Sequence, residues 1–330
     1  MTAPTSPLPQ TWRVGLIGYG EVGRILAEDL CAQGLQVSAF DSKLLLTATA
    51  DAQTALSKNA ALVAHTMQEH AQRLSVVLHD SHAQVCANSD LVICAVTASQ
   101  TLAAAQACAP HLLPQAFFLD MNSASPGTKL AAAALIDGTG ARYVEAAVMT
   151  SVPPHRIQVP MLLGGSHAAA LLPTLQQLRF NAKLASETLG VASATKMSRS
   201  IMVKGMEAMV IESLTTARHY GVEDAVIASL YETFPGIEWE KQATYFFQRV
   251  IEHGRRRSEE MREVAVTVQE AGLSPWLAQA SAERQAHMAD LADAAVFGTR
   301  GETSFARSAD WRIEADRLRT MKNNTKKHTP

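Results

Sequence analysis

Short apolar segments alternate with Ala-rich helical segments over the first half of this chain. Six of these segments have the length and the β-branched or aromatic content of strands, and helical stretches separate most of them. They are RVGLIG, LQVSAFD, LSVVLH, DLVICAV, AFFLDM and RYVEAAV. Short apolar strands joined by helices are typical of a parallel sheet covered on both faces. The pattern therefore predicts a doubly wound, mostly parallel α/β sheet between Trp12 and Leu163, with VPMLLGG as a further strand at an antiparallel edge.

The second half of the chain lacks this alternation. From about Ser193 onward the strand signal disappears and long helical patterns follow, the first of them ended by Gly221. A chain of 330 residues is long enough for two domains. We therefore predict a flexible leader over 1–11, a sheet domain over 12–192, an all-helical domain over 193–310, and a helix end with a flexible tail over 311–330.

A glycine-rich turn follows the first predicted strand and precedes a helical segment. The turn consists of Gly18, Tyr19, Gly20, Glu21, Val22 and Gly23. A strand, a G-x-G-x-x-G turn and a helix in this order are typical of a Rossmann dinucleotide site, in which the glycines allow a tight turn, close approach to pyrophosphate and close helix packing. The helix N-terminus supplies N–H donors for the phosphates. A glycine turn without a nucleotide is the alternative.

Asp41 ends the second predicted strand, at about the 20-residue distance beyond the glycines that ribose recognition uses. A carboxylate there would accept hydrogen bonds from the ribose hydroxyls and repel a 2′-phosphate, which predicts NAD rather than NADP. Lys43 weakens this preference, so NADP stays an alternative, as does an ordinary strand-end role for Asp41. Val96 and Thr97, at the end of DLVICAV, are further candidate cofactor contacts.

Polar residues recur at helical spacing in the first long helix of the second half. Lys196, Arg199, Ser200, Lys204 and Glu207 are three or four residues apart, which places them on one helical face. The remaining positions are largely apolar, so this stripe must face water, a partner or a ligand cleft. One interpretation is a solvated face stabilised by a Lys204–Glu207 pair, and the other is a site for an anionic substrate.

Four motifs in order make the chain resemble the β-hydroxyacid dehydrogenase superfamily, which includes 3-hydroxyisobutyrate and 6-phosphogluconate dehydrogenases. The first is the glycine-rich turn. LDMNSASP (119–126) is similar to the family's D-x-S-[ST]-x-x-P segment, VEAAVMTS (144–151) stands in the place of its D-A-P-V-S-G-G loop, and GVASATKMSRS (190–200) is similar to its G-x-x-x-x-x-K-x-x-x-N segment. The resemblance covers roughly residues 12 to 300 and is strongest to a phosphogluconate-dehydrogenase-like branch with a helical C-terminal domain.

The resemblance implies that Lys196 is the catalytic lysine, which accepts the hydroxyl proton in oxidation and returns a proton in reduction. A lysine accepts a proton only when it is neutral, and burial and neighbouring cations favour that form. For Asn122 and Ser123 a strand-to-turn hydrogen bond is the alternative to a substrate contact. The predicted substrate contacts are Asn122, Ser123, Met149, Thr150, Ser151, Arg199, Ser200 and Lys204.

Departures from the family pattern leave the substrate open. Ser200 stands where the family has Asn, and Met149-Thr150-Ser151 replaces its Ser-Gly-Gly. We expect an NAD(P)-dependent oxidoreductase acting on a small anionic hydroxy acid, a 3-hydroxycarboxylate, and a homodimer through the helical domain as in relatives. The alternatives are an imine or ketone reductase on the same scaffold and a non-catalytic dinucleotide-binding regulatory protein. Arg257 lies near the place where relatives carry a Lys-Asp pair close to the cofactor.

Composition excludes several other functions. A formal net charge of −2 without a concentrated basic surface argues against nucleic-acid binding. The four cysteines lack metal-ligand spacing, which predicts no metal site, and no apolar run reaches the roughly 20 residues of a membrane span. With no signal-peptide pattern, we expect a cytoplasmic protein.

Six aromatic residues lie within residues 231–247, here called the aromatic segment. One interpretation is packing in the core or at a dimer interface, and the other is the wall of a substrate pocket.

Overall fold

The computed structural model describes residues 12–47 and 55–325. The predicted leader over 1–11 and the last five residues of the predicted tail, 326–330, lie outside the described residues. The chain divides into an N-terminal and a C-terminal unit on either side of the Lys196–Met197 bond. The sequence predicts this division between residues 192 and 193, four residues earlier.

The N-terminal unit is built, in its described part, on a sheet of eight strands. Their order across the sheet is β3-β2-β1-β4-β5-β6-β7-β8, and all neighbours are parallel except β6 and β7. The predicted doubly wound, mostly parallel Rossmann sheet is therefore confirmed. The strands are β1 (Arg13–Ile17), β2 (Gln36–Phe40), β3 (Val77–Leu78), β4 (Leu91–Cys94), β5 (Phe117–Asp120), β6 (Arg142–Val148), β7 (Met161–Gly164) and β8 (Ala182–Ser186).

The far end of the sheet differs from the prediction. VPMLLGG forms β7, antiparallel to β6 as expected, but β7 is not the edge because β8 pairs with it on the outside. β8 escaped prediction because its segment AKLAS has no apolar run: Ala182 is buried, and the next three residues are exposed. The exposed Lys183 on this edge strand discourages pairing with another chain.

Two apolar cores cover opposite faces of the sheet. Along β4, Leu91 and Ile93 belong to one core, and Val92 and Cys94 belong to the other, as the alternation of side chains along a strand requires. All four are fully buried, which explains why the strands are apolar throughout. The helices of this unit are α1 (Glu21–Cys31), α2 (Ala55–Leu74), α3 (His82–Cys86), α4 (Thr101–Cys108), α5 (Pro126–Asp137), α6 (Val152–His155) and α7 (Ala168–Gln177).

In its described part the C-terminal unit contains helices and no strand, and turns and loops occupy residues 294–310. Its first helix, α8, begins in the N-terminal unit and ends before Gly221, whose φ of +68° is typical of the residue after a helix. Residues 311–325, for which only a helix end and tail were expected, form a separate helix whose Trp311 stacks on Phe247 in the core of this unit. The helices are α8 (Val191–Tyr220), α9 (Glu223–Thr233), α10 (Trp239–Glu270), α11 (Trp276–Asp293) and α12 (Trp311–Thr325).

The aromatic segment divides between core and surface. Trp239, Phe246 and Phe247 are buried in the core of the C-terminal unit, whereas Phe234 and Tyr245 are half exposed. The buried aromatic residues pack against helices of their own unit, so they stabilise the fold of that unit. This arrangement supports core packing for the buried residues rather than a pocket wall.

Candidate active site

The three glycines of the turn between β1 and α1 occupy different environments. Gly18 has a φ of +95°, which L side chains rarely adopt, and a Cβ there would lie 2.5 Å from the carbonyl oxygen of Ala95. A Cβ on Gly23 would overlap the carbonyl oxygen of Gly18, whereas one on Gly20 would meet nothing within 4 Å. Gly18 and Gly23 therefore allow the tight turn and the close helix packing. Gly20 leaves the space that a pyrophosphate needs beside the backbone.

The N-terminus of α1 presents its N–H groups at this turn. Gly20 is the N-cap residue, and no side chain caps the helix. The first N–H groups of a helix have no acceptor within it, so those of Glu21, Val22 and Gly23 can donate to phosphate oxygens. The side chain of Val22 packs against the sheet core, and Glu21 is exposed. These residues fit a dinucleotide pyrophosphate through their backbone.

Tyr19 contributes differently from the prediction. Its side chain is fully buried, and its hydroxyl lies 2.9 Å from Nδ1 of His70. Burial raises the pKa of the Tyr19 phenol well above its ordinary value, so the side chain stays protonated. We predicted that Tyr19 contacts the cofactor. Its side chain points into the core and therefore cannot make that contact. Only the backbone of Tyr19 lies on the turn.

Asp41 holds the glycine-rich turn in place. Its Oδ2 accepts the N–H of Tyr19 at 2.8 Å, and its Oδ1 accepts the N–H of Lys43 at 2.9 Å. Each carboxylate oxygen can accept a second hydrogen bond. Asp41 therefore has the strand-end role that the sequence left as an alternative, and it keeps the capacity to accept from ribose hydroxyls.

The carboxyl ends of β1, β4, β5 and β6 lie at one edge of the sheet, because these strands are parallel neighbours. The glycine-rich turn follows β1, and three other groups of predicted site residues follow the other strands. These groups are Val96 and Thr97 after β4, Asn122 and Ser123 after β5, and Met149, Thr150 and Ser151 after β6. Ligands of open α/β sheets bind at this edge, near the point where the strand order reverses. The fold thus brings these residues to the edge at which ligands of such sheets bind.

Asn122 links two strand ends. Its buried Oδ1 accepts the N–H of Val96 at 2.7 Å, and its Nδ2 donates to Sγ of Cys94 at 3.3 Å. These are hydrogen bonds between a strand and a turn, the alternative to a substrate contact. Asn122 therefore shapes the edge on which Ser123 lies.

Asp120 fixes the same turn from the interior. Its carboxylate accepts the N–H of Asn122 at 2.9 Å and the hydroxyl of Tyr143 at 2.7 Å, and it forms a buried ion pair with Nζ of Lys129 at 3.0 Å. Burial and the charge of Asp120 raise the pKa of Tyr143, so the phenol remains a donor. This cluster was not predicted from the sequence. Its one local signal was a lysine within the apolar helix α5.

Lys196 lies in the second turn of α8 and is half-buried. Its Nζ donates to Oγ of Ser123 at 2.5 Å. Both residues belong to the N-terminal unit. The fold therefore brings the predicted catalytic lysine to the serine that follows β5, although 73 residues separate them in the chain.

The segment after β6 turns sharply into α6. The N–H of Met149 donates to the carbonyl of Pro160 at 2.9 Å, and Ser151 occupies the N-cap position of α6. Thr150 is exposed between them. Thr150 thus presents a hydroxyl to solvent at the edge that carries Ser123.

Lys204 and Ser200 lie in the C-terminal unit, where Lys204 is already paired with a carboxylate. Nζ of the buried Lys204 lies 2.8 Å from the carboxylate of Glu260 and donates to Oγ of Ser200 at 3.2 Å. A buried lysine that is paired with a carboxylate offers little net charge to an anionic ligand. These contacts argue against the substrate roles predicted for Lys204 and Ser200. Arg199 is exposed.

The Lys204–Glu207 pair of the solvated-face interpretation does not form. The fully buried carboxylate of Glu207 instead pairs with Arg257 and accepts from Nε2 of Gln285 at 3.2 Å. Lys204 and Glu207 therefore take partners from other helices, and at these two positions the stripe is buried rather than solvated. Arg257 is buried in this ion pair within the C-terminal unit.

The described residues were also compared with the requirements of a metal site and of a membrane-spanning helix. Among residues 12–47 and 55–325, no group of three or more His, Cys, Asp or Glu side chains is arranged to hold a metal ion. No helix in that part of the chain is both long and apolar enough to cross a membrane.

Cys94 is a free thiol that accepts a hydrogen bond from Asn122. Burial raises the pKa of this thiol to about 12, so it stays protonated and inert.

The sheet order and the glycine-rich turn define a Rossmann-type dinucleotide-binding protein. The model of the NAD binding domain of 6-phosphogluconate dehydrogenase matches residues 13–177, half of the chain. The model named Domain of unknown function (DUF1932) matches residues 217–288. The chain belongs to the family defined by that NAD-binding domain, within the β-hydroxyacid dehydrogenase superfamily that its motifs resemble.

Several solved structures are similar over most of the chain. A conserved hypothetical protein from Sinorhizobium meliloti 1021 is 33% identical, with 94% of this chain and 97% of that chain covered and a TM-score of 0.70. A conserved protein of unknown function, described as structurally similar to 3-hydroxyacid dehydrogenases, is 28% identical, with coverage of 86% and 98% and a TM-score of 0.63. The 3-hydroxyisobutyrate dehydrogenase of Mycobacterium tuberculosis shares the fold at 16% identity, with coverage of 93% and 99% and a TM-score of 0.65.

Proposed function

We propose that this protein is an NAD(P)-dependent oxidoreductase that transfers hydride between nicotinamide and a small hydroxy acid, a 3-hydroxycarboxylate. The observation that carries the proposal is the contact between Nζ of Lys196 and Oγ of Ser123 at the carboxyl edge of the sheet. The glycine-rich turn and the family match support binding of the dinucleotide. A lysine amine at the same edge supports proton transfer in addition to binding.

Nicotinamide, when bound, supplies the hydride acceptor for oxidation or the hydride donor for reduction. The N–H groups at the start of α1 would hold the pyrophosphate, and Asp41 would accept hydrogen bonds from the adenosine ribose. The negative charge of Asp41 would also repel the 2′-phosphate of NADP. We therefore propose NAD as the preferred cofactor, with NADP as the weaker one.

Lys196 would transfer the proton. In oxidation, the C–H bond of the substrate carbinol breaks as hydride leaves, and the hydroxyl proton passes to the neutral amine as the carbonyl forms. In reduction, the ammonium returns a proton to the carbonyl oxygen. Ser123 accepts a hydrogen bond from Nζ, which fixes the direction of the amine. The hydroxyl of Thr150, which is exposed after β6 in the same unit as Lys196, is the proposed contact for the substrate carboxylate.

The test is turnover of a panel of 3-hydroxycarboxylates, polyols and amino alcohols with NAD and with NADP. Turnover is monitored by the absorbance of the nicotinamide. We expect the 3-hydroxycarboxylates to be oxidised fastest and kcat/KM to be higher with NAD than with NADP. Reversal of the cofactor preference would contradict the role given to Asp41. Tight NAD binding without turnover of any compound would support the regulatory alternative instead.

We also propose a homodimer through the C-terminal unit. α8 exposes Met202 and Met209 on one face, 66% and 58% accessible, and Gly205 lies between them. Leu277 packs over Gly205, and its Cδ2 lies 3.6 Å from the place that a Cβ on Gly205 would occupy. The adjacent Trp276 is 79% exposed. A group of exposed apolar side chains of this kind marks an interaction surface.

Replacement of the exposed indole tests the dimer. We expect Trp276→Ser to shift the mass measured by light scattering from dimer toward monomer at micromolar concentration, because the variant loses a large apolar contact. Leu62→Ser is the matched control, since Leu62 is 63% exposed on α2 of the other unit. A wild-type protein that is monomeric, or a Trp276→Ser variant that dimerises as tightly as wild type, would contradict this surface.

A further inference from the structure

Glu145 on β6 is a fully buried carboxylate whose hydrogen-bond donors lie at the start of α8. Its Oε1 accepts the N–H of Gly190 at 2.8 Å and the N–H of Ala192 at 3.1 Å. Its Oε2 accepts the hydroxyl of Ser193 at 2.9 Å. N–H groups at a helix N-terminus lack acceptors within the helix, and a carboxylate there also meets the positive end of the helix dipole. Glu145 therefore caps α8 from a strand 45 residues away in the chain.

The position of this carboxylate is tightly restricted. Gly164 on β7 lies directly opposite Glu145 in the antiparallel pair. A Cβ on Gly164 would overlap Oε1 of Glu145, so the carboxylate fills the space that a larger residue would need. Gly190 has a φ of +93°, which turns the chain into α8 beside the carboxylate. Glu145 thus fixes one geometry for the first turn of α8.

Lys196 lies one turn beyond Ser193 on the helix that Glu145 caps. Its amine contacts Ser123, which follows β5. β5 and β6 are adjacent, and Asp120 pairs with Glu145 in register. The two ends of the Lys196–Ser123 contact are therefore attached to neighbouring strands, one through the turn after β5 and the other through Glu145.

We propose that Glu145 is a positioning residue that sets the place of the Lys196 amine relative to Ser123. The inference rests on the proposed proton-transfer role of Lys196. The inference also predicts that a replacement of Glu145 that keeps these hydrogen bonds keeps the amine in place. In Glu145→Gln, the amide oxygen accepts both backbone N–H groups, and the amide nitrogen donates to Ser193, whose hydroxyl then donates to the carbonyl of Gly190, 3.0 Å away. A neutral isostere therefore preserves the geometry but removes the charge.

The experiment compares Glu145→Ala with Glu145→Gln in the full chain. We expect Glu145→Ala to lower kcat about 100-fold, the effect of displacing a catalytic group by roughly 1 Å, with KM and the Kd for NAD changed less than about twofold. We expect Glu145→Gln to retain kcat within about threefold of wild type. Asp137→Asn is the matched control, because Asp137 accepts the N–H of Tyr143 on β6 and lies on α5, away from α8.

A wild-type kcat in Glu145→Ala would overturn the inference. A Glu145→Gln variant as slow as Glu145→Ala would also overturn it, because the effect would then come from the charge. If Glu145→Ala fails to fold, Gly164→Ala displaces the same carboxylate from β7 and should lower kcat in the same way; an unchanged kcat there would also contradict it.

A crystallographic readout separates this inference from the proposed function. The distance between Nζ of Lys196 and Oγ of Ser123 should be kept in Glu145→Gln and lost in Glu145→Ala, or in Gly164→Ala if that variant is the one that folds. Absence of turnover in wild type would count against the proposed function alone, because this distance does not depend on activity. An unchanged distance in the displaced variants would count against the positioning role alone.

Discussion

Lys196→Ala is expected to lower kcat/KM by about 10²–10⁴-fold, the contribution that a positioned acid or base makes to catalysis. The methyl group cannot accept the hydroxyl proton, and water would have to take it. The Kd for NAD should change less than about twofold, because the pyrophosphate and ribose contacts come from the turn after β1 and from Asp41. The measurements are steady-state turnover on the best substrate of the panel and NAD titration by fluorescence.

Two further lysine variants sharpen this result. Lys196→Arg keeps a positive charge near Ser123, but a guanidinium stays protonated and cannot act as a base, so it should be as slow as Lys196→Ala. Lys183→Ala removes an exposed lysine from β8 in the same unit and should leave kcat unchanged. Turnover retained in Lys196→Ala would remove the proton-transfer role.

Arg257→Ala is expected to lower the free energy of unfolding of the C-terminal unit by about 3–5 kcal/mol, the cost of leaving a buried charge without its partner. The Glu207 carboxylate would keep Gln285, a neutral donor, and Arg249, whose Nε lies 3.7 Å away. Neither replaces a buried guanidinium in direct contact. The loss of stability should appear in urea unfolding curves monitored by circular dichroism.

The same variant decides between two roles for Arg257. The sequence places Arg257 near a cofactor-proximal position of relatives, whereas the structure buries it against Glu207. We therefore expect an unchanged Kd for NAD in Arg257→Ala, and recovery of most of the lost stability in the double variant Arg257→Met/Glu207→Leu. Arg256→Ala, an exposed neighbour, should cost less than about 1 kcal/mol. Weaker NAD binding at wild-type stability would return Arg257 to the cofactor site.

The features that the sequence predicted well depend on local patterns. Fully buried strands need apolar residues on both faces, so β1, β4, β5 and β6 are visible as short apolar runs. The glycine spacing indicates a backbone shape, which the φ of Gly18 and the crowding at Gly23 display. β8 was missed because an edge strand with exposed side chains carries no such pattern.

The features that the sequence missed depend on partners that are distant in the chain. Spacing of three residues suggested Lys204 as the partner of Glu207, but Glu207 pairs with Arg257, 50 residues away. Glu145 looked like one polar residue in an apolar strand, and only the fold shows that it caps α8. Tyr19 lies within the predicted turn, yet the side chain points to the core, because spacing predicts the path of the backbone and not the direction of each side chain.

The buried pair of Asp120 and Lys129 restricts how this chain can change over evolutionary time. Both side chains are 1% exposed, and each neutralises the other inside the protein. Loss of either one alone would leave an unpaired interior charge, whereas joint replacement by apolar residues of similar volume can be neutral. We therefore expect relatives to carry both residues or neither, so that an aligned set of sequences should show the two positions covarying.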